Sequence, residues 1–258
     1  METGLLLLAG GVAAGAFGSL LGLGGGLLIV PLLTIGFGLP VRDAVGVSLV
    51  CVIVTSSASA GVFLERRQAD LRLGMVLELF TAAGAVLGGI VAFLLDERLL
   101  AGLFAAVLLY VAASMARGSR PRPAPEAPPD GESYQIRNVG PATVGSVGAG
   151  VLSALLGIGG GLVKVPLMHL VMGVPLRIAT ATSNLMIGIT ASASAVVYLL
   201  RGGIDANAAG PTAIGVFLGA SLGSRVGHRV DVRVLRTLFV AVLLFTAYEM
   251  ARRAMGWT

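Results

Sequence analysis

Apolar segments separated by short polar turns fill almost the entire chain. Most segments hold about 20 residues, the length that an α-helix needs to cross roughly 30 Å of hydrocarbon. The apolar blocks cover roughly 4–38, 43–64, 73–95 and 99–116, and then 139–173, 178–200, 208–227 and 232–251. The pattern predicts an all-α polytopic membrane protein with four blocks in each half.

The opening block of each half is longer than the others and contains three consecutive glycines. Residues 20–33 read LLGLGGGLLIVPLL, and residues 155–168 read LLGIGGGLVKVPLM. A continuous helix of this block's length would span about 50 Å, too long for one upright crossing. Each glycine weakens a helix by roughly 1 kcal/mol, so the cluster favours a break. We expect a helix–break–helix hairpin that enters and leaves on the same side, followed by three transmembrane helices.

The two halves are copies of one another. A shift of 135 residues places Gly24 on Gly159 and Pro31 on Pro166, and no gap is needed. A constant offset that also aligns Asp and Arg positions indicates an internal repeat rather than shared membrane composition. The domains are therefore a first membrane repeat at 1–116, a Pro-rich linker at 117–137 and a second membrane repeat at 138–258.

Composition agrees with a membrane location and excludes several kinds of site. Only 12% of the residues are charged, against about 25% in soluble proteins. The arginines lie in short loops, where basic residues set membrane topology, and they do not indicate nucleic-acid binding. Cys51 is the single cysteine, so neither an intrachain disulfide nor a multi-cysteine metal site is expected. No nucleotide loop, nucleophile–base arrangement or cofactor motif is present, and we expect neither enzyme activity nor a cofactor.

The arginines favour one topology over another. If every block crossed the membrane, the two sides would hold 10 and 7 arginines. If each opening block is re-entrant, the halves are inverted and one side holds 12 arginines while the other holds 5. The positive-inside rule favours the inverted arrangement in the plasma (inner) membrane, with both termini outside and the linker in the cytoplasm.

The glycine clusters are the first candidate binding residues: Gly24, Gly25 and Gly26 with Gly159, Gly160 and Gly161. A helix that restarts after each cluster would direct free N–H groups and its positive dipole end into the membrane centre. Two such ends facing each other form an anion site, and glycine lets the anion approach the backbone closely. The alternative is that these glycines only allow close helix packing, the role expected for Gly215, Gly219 and Gly223.

Lys164 adds a positive charge three residues after the second cluster, at a position whose repeat mate is Ile29. An ionisable residue inside a membrane segment usually faces a partner or a cavity, and we expect the anion to be that partner. Snorkelling to the interface is the alternative. The remaining candidates form a polar stretch and its one polar mate in the first half: Thr182, Ser183, Asn184 and Ser48.

These features resemble the sulfite exporter TauE/SafE family. The resemblance covers two homologous halves, each opening with a G-x-G-G-G-x-x-x-x-P element at Gly22–Pro31 and Gly157–Pro166. The Pro40–Arg42 and Pro175–Arg177 pairs and the stretch at 181–183 are also similar to the family pattern. The resemblance implies a secondary transporter of a small sulfur anion, namely sulfite, thiosulfate or a sulfonate such as sulfoacetate, with export the usual direction.

Two other classes of function stay open from the sequence. A passive anion channel would use the same site without alternating access, and a membrane enzyme or scaffold would not transport. No ATPase motif is present, so concentrative transport must use an ion gradient, such as that of H⁺, or a separate partner protein. Saturable, proton-dependent flux in liposomes distinguishes the transporter from the channel.

The inverted topology predicts which sites an impermeant thiol reagent can reach in intact cells. Cysteines at position 119 or 138 (Ser119→Cys, Asn138→Cys) should be protected, and Thr3→Cys should be labelled. A Cys51→Ser background removes the native thiol. Labelling of Ser119→Cys from outside would contradict this orientation.

Overall fold

The computed structural model describes residues 2–20, 26–65, 69–116, 136–226 and 232–256, which form helices and turns. The first-half helices are α1 (Glu2–Leu20), α2 (Gly26–Pro31), α3 (Val41–Glu65), α4 (Leu71–Leu94) and α5 (Glu97–Ala116). The second-half helices are α6 (Val139–Leu156), α7 (Gly161–Pro166), α8 (Leu176–Leu200), α9 (Ala206–Val226) and α10 (Val232–Ala254). Single π-helical turns, Leu32–Gly36 and Leu167–Val171, continue α2 and α7 beyond their prolines.

The long opening block of the second half breaks at its glycines, as the sequence predicts. Gly157, Gly159 and Gly160 have φ angles of 66°, 79° and 77°, in the left-handed region that other residues rarely adopt. Gly157 ends α6, and Gly160 precedes the first residue of α7. In the first half α1 ends and α2 begins on either side of 21–25, so Gly24 and Gly25 lie outside the described residues.

After the break the chain returns along the helix that it has just left. A methyl group placed on Gly145 of α6 would lie 2.7 Å from the Leu167 side chain. At the far end, the Arg137 N–H donates to the Met172 carbonyl oxygen at 3.1 Å, and Asn138 Nδ2 donates to the Val171 oxygen at 3.1 Å. The second-half hairpin therefore begins and ends at the same end of the molecule.

The most extensive helix contacts join one half to the other. Helix α1 packs on α9 and α4 packs on α6, while α3 pairs with α8 and α5 pairs with α10. The 135-residue shift converts the first of these pairs into the second and each of the other two into itself. The halves are thus interleaved by a repeat-related set of contacts rather than set side by side.

Glycines allow the closest of these contacts. A methyl group on Gly150 of α6 would lie 2.0 Å from the Thr81 carbonyl oxygen of α4. One on Gly219 of α9 would lie 2.0 Å from the Val12 oxygen of α1, and Gly215 likewise faces the Leu8 oxygen at 2.2 Å. Small residues let membrane helices approach backbone to backbone. The packing role expected for Gly215 and Gly219 is confirmed.

Helix lengths and surfaces fit an integral membrane protein. Among the described residues, four helices are long and apolar enough to cross a bilayer: Leu71–Leu94, Glu97–Ala116, Val139–Leu156 and Ile178–Leu200. Their outward faces carry exposed large apolar side chains such as Leu79 and Tyr110. A continuous apolar surface of this kind is stable in lipid.

Polar residues at the helix ends act as caps. Asp70 Oδ1 accepts the Leu73 N–H at the start of α4 at 2.9 Å, and Asp205 Oδ1 accepts the Asn207 N–H beside α9 at 2.9 Å. Both aspartates therefore satisfy free N–H groups at a helix start. Arg42 Nη2 donates to the Leu95 carbonyl oxygen at 2.8 Å, which satisfies the other end of α4.

The glycine contact between α4 and α6 predicts opposite effects for two substitutions in the same helix. Gly150→Ala should lower the free energy of unfolding by about 1–3 kcal/mol, because its methyl group overlaps the Thr81 backbone. Gly148→Ala meets no described atom within 4 Å, and it should be neutral or raise stability by up to about 1 kcal/mol. Thermal unfolding of the purified protein in detergent measures both. Equal stability of the two variants would contradict the close backbone contact.

Candidate functional site

The start of α2 meets the second-half glycine break inside the protein. Gly26, the first residue of α2, lies so close to the second break that a methyl group there would be 2.6 Å from the Gly157 oxygen. The same methyl group would be 3.2 Å from Ile158 Cα. Gly26 and residues 157–160 are all buried. The elements that the sequence identified separately therefore form one central region.

Ser48 of α3 links the second-half break to the first residue of α2. Its hydroxyl lies 2.8 Å from the Gly157 carbonyl oxygen and 3.3 Å from the Gly26 carbonyl oxygen, and its side chain is fully buried. A hydroxyl has one proton to donate, so the shorter contact is the main hydrogen bond. The serine thus holds the turn at Gly157–Gly161, called the second turn below, against the first residue of α2.

Two other buried hydroxyls beside the second turn have no hydrogen-bond partner in the described part of the chain: Ser153 Oγ and Ser183 Oγ. Ser183, the repeat mate of Ser48, lies 3.7 Å from the position of a methyl group on Gly161. Ser153 Cβ is 3.4 Å from the corresponding position on Gly160. Buried polar groups normally find a partner, so free hydroxyls here are available to a small polar ligand or water.

Lys164 of α7 is buried and has a protein partner. Its Nζ lies 3.1 Å from Glu78 Oε2 of α4, and it also donates to Thr190 Oγ1 of α8. The Thr190 hydroxyl in turn lies 2.6 Å from Glu78 Oε1. Lys164 is 1% exposed and Glu78 is 5% exposed. Glu78 and Thr190 are thus protein partners of this lysine that the sequence did not reveal. A side chain this deeply buried does not fit the snorkelling alternative, and the role of Lys164 as an anion ligand stays a prediction.

The glycine turn shapes the path of the lysine side chain. Lys164 Cε is 3.3 Å from the position that a methyl group on Gly160 would occupy. Any larger side chain at position 160 would compete with the lysine stem for the same space. The glycines thus do two things, since they break the helix and leave room beside the turn for the lysine side chain.

The first half lacks this charged cluster but keeps its frame. The repeat mates of Lys164, Glu78 and Thr190 are Ile29, Ala213 and Thr55. Ile29 and Ala213 are both buried. Thr55 donates to the Cys51 carbonyl one turn back at 3.1 Å, as Thr190 lies 3.0 Å from the Met186 carbonyl. The ion pair is therefore an addition to a frame that elsewhere holds apolar side chains.

The remaining predicted residues point to neighbouring helices. Thr182 Oγ1 accepts the Asp70 N–H at 2.9 Å, which fixes the start of α4 against α8. Asn184 Nδ2 donates to the Thr180 carbonyl oxygen at 3.0 Å. The backbone carbonyl oxygen of Asn184 accepts a hydrogen bond from the Ser56 hydroxyl at 2.6 Å. The structure brings together seven of the predicted residues: Gly26, Gly159, Gly160, Gly161, Ser48, Ser183 and Lys164.

Sequence reasoning missed Glu78, Thr190 and Ser153. Glu78 carried a usable signal, because it is the one charged residue in the apolar run 73–95 and an ionisable residue in a membrane helix is a functional candidate by default. Thr190 and Ser153 carried none, because hydroxyl residues are common in packed membrane helices. The cluster is neutral when both Glu78 and Lys164 are ionised, so the centre holds two opposite charges and two free hydroxyls.

Comparison with known proteins agrees with this architecture. The family model for the sulfite exporter TauE/SafE matches residues 7–250. A probable membrane transporter protein of Bacillus subtilis is 28% identical over 95% of this chain and 97% of its own length. One from Methanocaldococcus jannaschii is 31% identical over 75% of this chain and 72% of its own length. No solved structure matches. The chain is a membrane transporter that belongs to the sulfite exporter TauE/SafE family.

Proposed function

We propose that this protein is a secondary transporter that exports a small sulfur-containing anion: sulfite, thiosulfate or a sulfonate such as sulfoacetate. The family description supports the class of substrate, and the printed names of the relatives support transport. The observation that carries the proposal is the central meeting of Gly26 with the Gly157–Gly161 turn, beside buried hydroxyls without partners.

The anion would lie against the second turn. Helical limbs of residues 26–36 and 161–171 begin at the two breaks, and the first N–H groups of a helix have no acceptor within the helix. Those N–H groups and the Ser183 hydroxyl are donors of the kind that oxyanions prefer. Gly160 presents no side chain and borders Lys164 and Ser153, so an oxyanion would approach the backbone there. At Gly161 the corresponding space is filled by Ile187 Cδ1.

The proposed setting is the plasma (inner) membrane, with both termini outside and the linker at 117–137 in the cytoplasm. The arginine distribution supports this orientation. The contacts that pair α1 with α9 and α4 with α6 suit two halves inserted in opposite directions, each with a re-entrant hairpin. Inverted repeats with broken helices and a midplane site are a recurrent plan among secondary transporters.

Flux of radiolabelled sulfite into proteoliposomes tests this function. We expect saturable uptake that unlabelled thiosulfate or an organosulfonate reduces by competition. Unsaturable flux would instead support a passive channel. Absence of flux for sulfite, thiosulfate and organosulfonates in a folded preparation would contradict anion transport.

A matched pair of glycine substitutions shows whether the second turn is the site of this flux. Gly160→Ala should abolish transport, because it adds a methyl group beside Lys164 and strains a backbone at φ 77°. Gly202→Ala has the same kind of strain, at φ 70°, with no described atom within 4 Å. It should lose about 1 kcal/mol of stability and keep its flux. Equal flux in both variants would place transport elsewhere.

A further inference from the structure

We propose that Glu78, Lys164 and Thr190 form a coupled proton and anion site, in which a proton taken up by Glu78 releases Lys164 to bind the transported anion. This inference rests on the proposed anion transport and adds the coupling ion and the residue that carries it. Three features support it: the composition of the cluster, its absence from the first half and the buried hydroxyls beside it that lack partners in the described chain.

Lys164 already has an ionic partner in the structure. Its ammonium contacts Glu78 Oε2 at 3.1 Å and Thr190 Oγ1, inside a site that is almost closed to solvent. A carboxylate in this position satisfies the lysine charge as a sulfur oxyanion would. While Glu78 is ionised, an incoming anion must displace it or meet its negative charge within a few ångströms.

The fold does not require the ion pair. At the repeat-related position, Ile29 and Ala213 fill the same frame with apolar side chains. Replacing a buried ion pair by well-packed apolar residues is often neutral or stabilising, so burial of the pair is weak evidence for a structural role. Its presence in one half only favours a role in transport.

Lys164 is the charged side chain in contact with Glu78 among the described residues. Helix α6, which packs on α4, carries no titratable residue between Val139 and Leu156. Helix α8 contributes Thr190 to the cluster, and its Tyr198 hydroxyl donates to the Ala154 carbonyl. The charged residues of α4 itself other than Glu78 lie at its first turn, Arg72 after the cap Asp70. The His169 ring, beyond α7, contacts the Val174 carbonyl.

One further charged residue lies on a helix that packs against the cluster. Arg177, in the first turn of α8, has a side chain outside the described set. Protonation of Glu78 therefore changes the net charge of the contacting pair from zero to plus one. A site with one unneutralised lysine charge attracts an anion, and a site with a neutral pair does not.

The transport step then moves one proton with one anion, so a monovalent sulfonate crosses without net charge and thiosulfate crosses with one net negative charge. A proton from one side binds a Glu78 carboxylate oxygen, and the carboxyl no longer neutralises Lys164. The ammonium, carried on a flexible four-carbon stem, turns its N–H donors toward an oxyanion held beside Gly160. Ser183 Oγ and Ser153 Oγ, which lack partners, donate to the same oxygens. On the other side the anion and the proton leave together, and the ion pair forms again. Because both move in the same direction, export proceeds when the outward gradient of the anion exceeds the inward gradient of the proton.

Proton-driven accumulation of a fully ionised anion tests the inference. Radiolabelled thiosulfate and isethionate stay ionised near neutral pH. The substrate therefore carries no proton itself, and any proton that crosses with it is bound by the protein. With the membrane potential held at zero by valinomycin and equal potassium, one coupled proton sustains up to about tenfold accumulation for a gradient of about one pH unit. The wild-type chain should approach this ratio.

Glu78→Gln copies the protonated carboxyl and cannot release its proton. We expect it to lose proton-driven accumulation and net flux, because the ion pair that completes the cycle cannot form again, and to keep exchange of labelled for unlabelled anion across the membrane. Glu78→Asp keeps a titratable carboxyl and should keep proton-driven accumulation. Glu249→Gln makes the same chemical change in a partly exposed pair with Arg252 at 3.3 Å, and it should behave as wild type.

Each outcome is decisive. Tenfold accumulation by Glu78→Gln, or a folded Glu78→Gln without anion exchange, overturns the coupling role and leaves anion transport standing. Wild-type flux without accumulation does the same. Absence of flux for sulfite, thiosulfate and isethionate in the wild-type protein removes the proposed function and the inference together.

A double substitution keeps the test valid if Glu78→Gln does not fold. Glu78→Ala with Lys164→Ile reproduces the repeat-related frame, and it should unfold at a higher temperature than either single variant, each of which leaves one buried charge unpaired. The folded double variant should lose accumulation. Proton-driven accumulation by the double variant would overturn the inference.

Discussion

Contact between backbones, with no side chain between them, is the constraint on which this architecture depends. Lipid gives helices no hydrophobic reason to associate, so close packing must supply the stabilising energy. The contact of Gly150 with the Thr81 oxygen and that of Gly219 with the Val12 oxygen are the clearest cases. The same rule operates at the centre, where Gly26 meets Gly157. The irregular backbone at 157–160 is buried in protein, the setting in which membrane proteins tolerate it.

The two halves share this frame and differ in the chemistry placed on it. The Ser48 hydroxyl of the first half contacts the carbonyl oxygens of Gly26 and Gly157. The hydroxyl of its mate Ser183 has no hydrogen-bond partner in the described structure. Lys164 and Glu78 are present where the mates are Ile29 and Ala213. A duplicated scaffold thus supplies symmetry for packing, and a few substitutions in the second hairpin and its neighbours concentrate polarity on one side of the centre.

The helical blocks, the repeat and the break could be predicted because each depends on neighbours in the sequence. The partner of Lys164 could not, since Glu78 lies in the other half and its own repeat mate is an alanine. No offset in the sequence connects positions 78 and 164. Only the packing of α4 against the second hairpin brings them together.

The polar stretch at 182–184 shows a different limit of sequence reasoning. Consecutive helical residues point about 100° apart, so three neighbouring polar side chains cannot all face one ligand. Ser183 faces the glycine turn, while Thr182 binds the Asp70 backbone and Asn184 binds one turn back. Arg42 is similar, because its role at the end of α4 depends on a contact 53 residues away in the sequence.

The pairing of α1 with α9 also sets the order in which the molecule can assemble during biosynthesis. Helix α1 is made first, and α9 follows roughly 200 residues later, which is about 10–40 s of synthesis. During that interval Gly11 and Gly15 face lipid or another protein instead of the α9 backbone that they fit. The first repeat therefore matures only after the second is inserted, and membrane chaperones and proteases have those seconds in which to engage the incomplete chain.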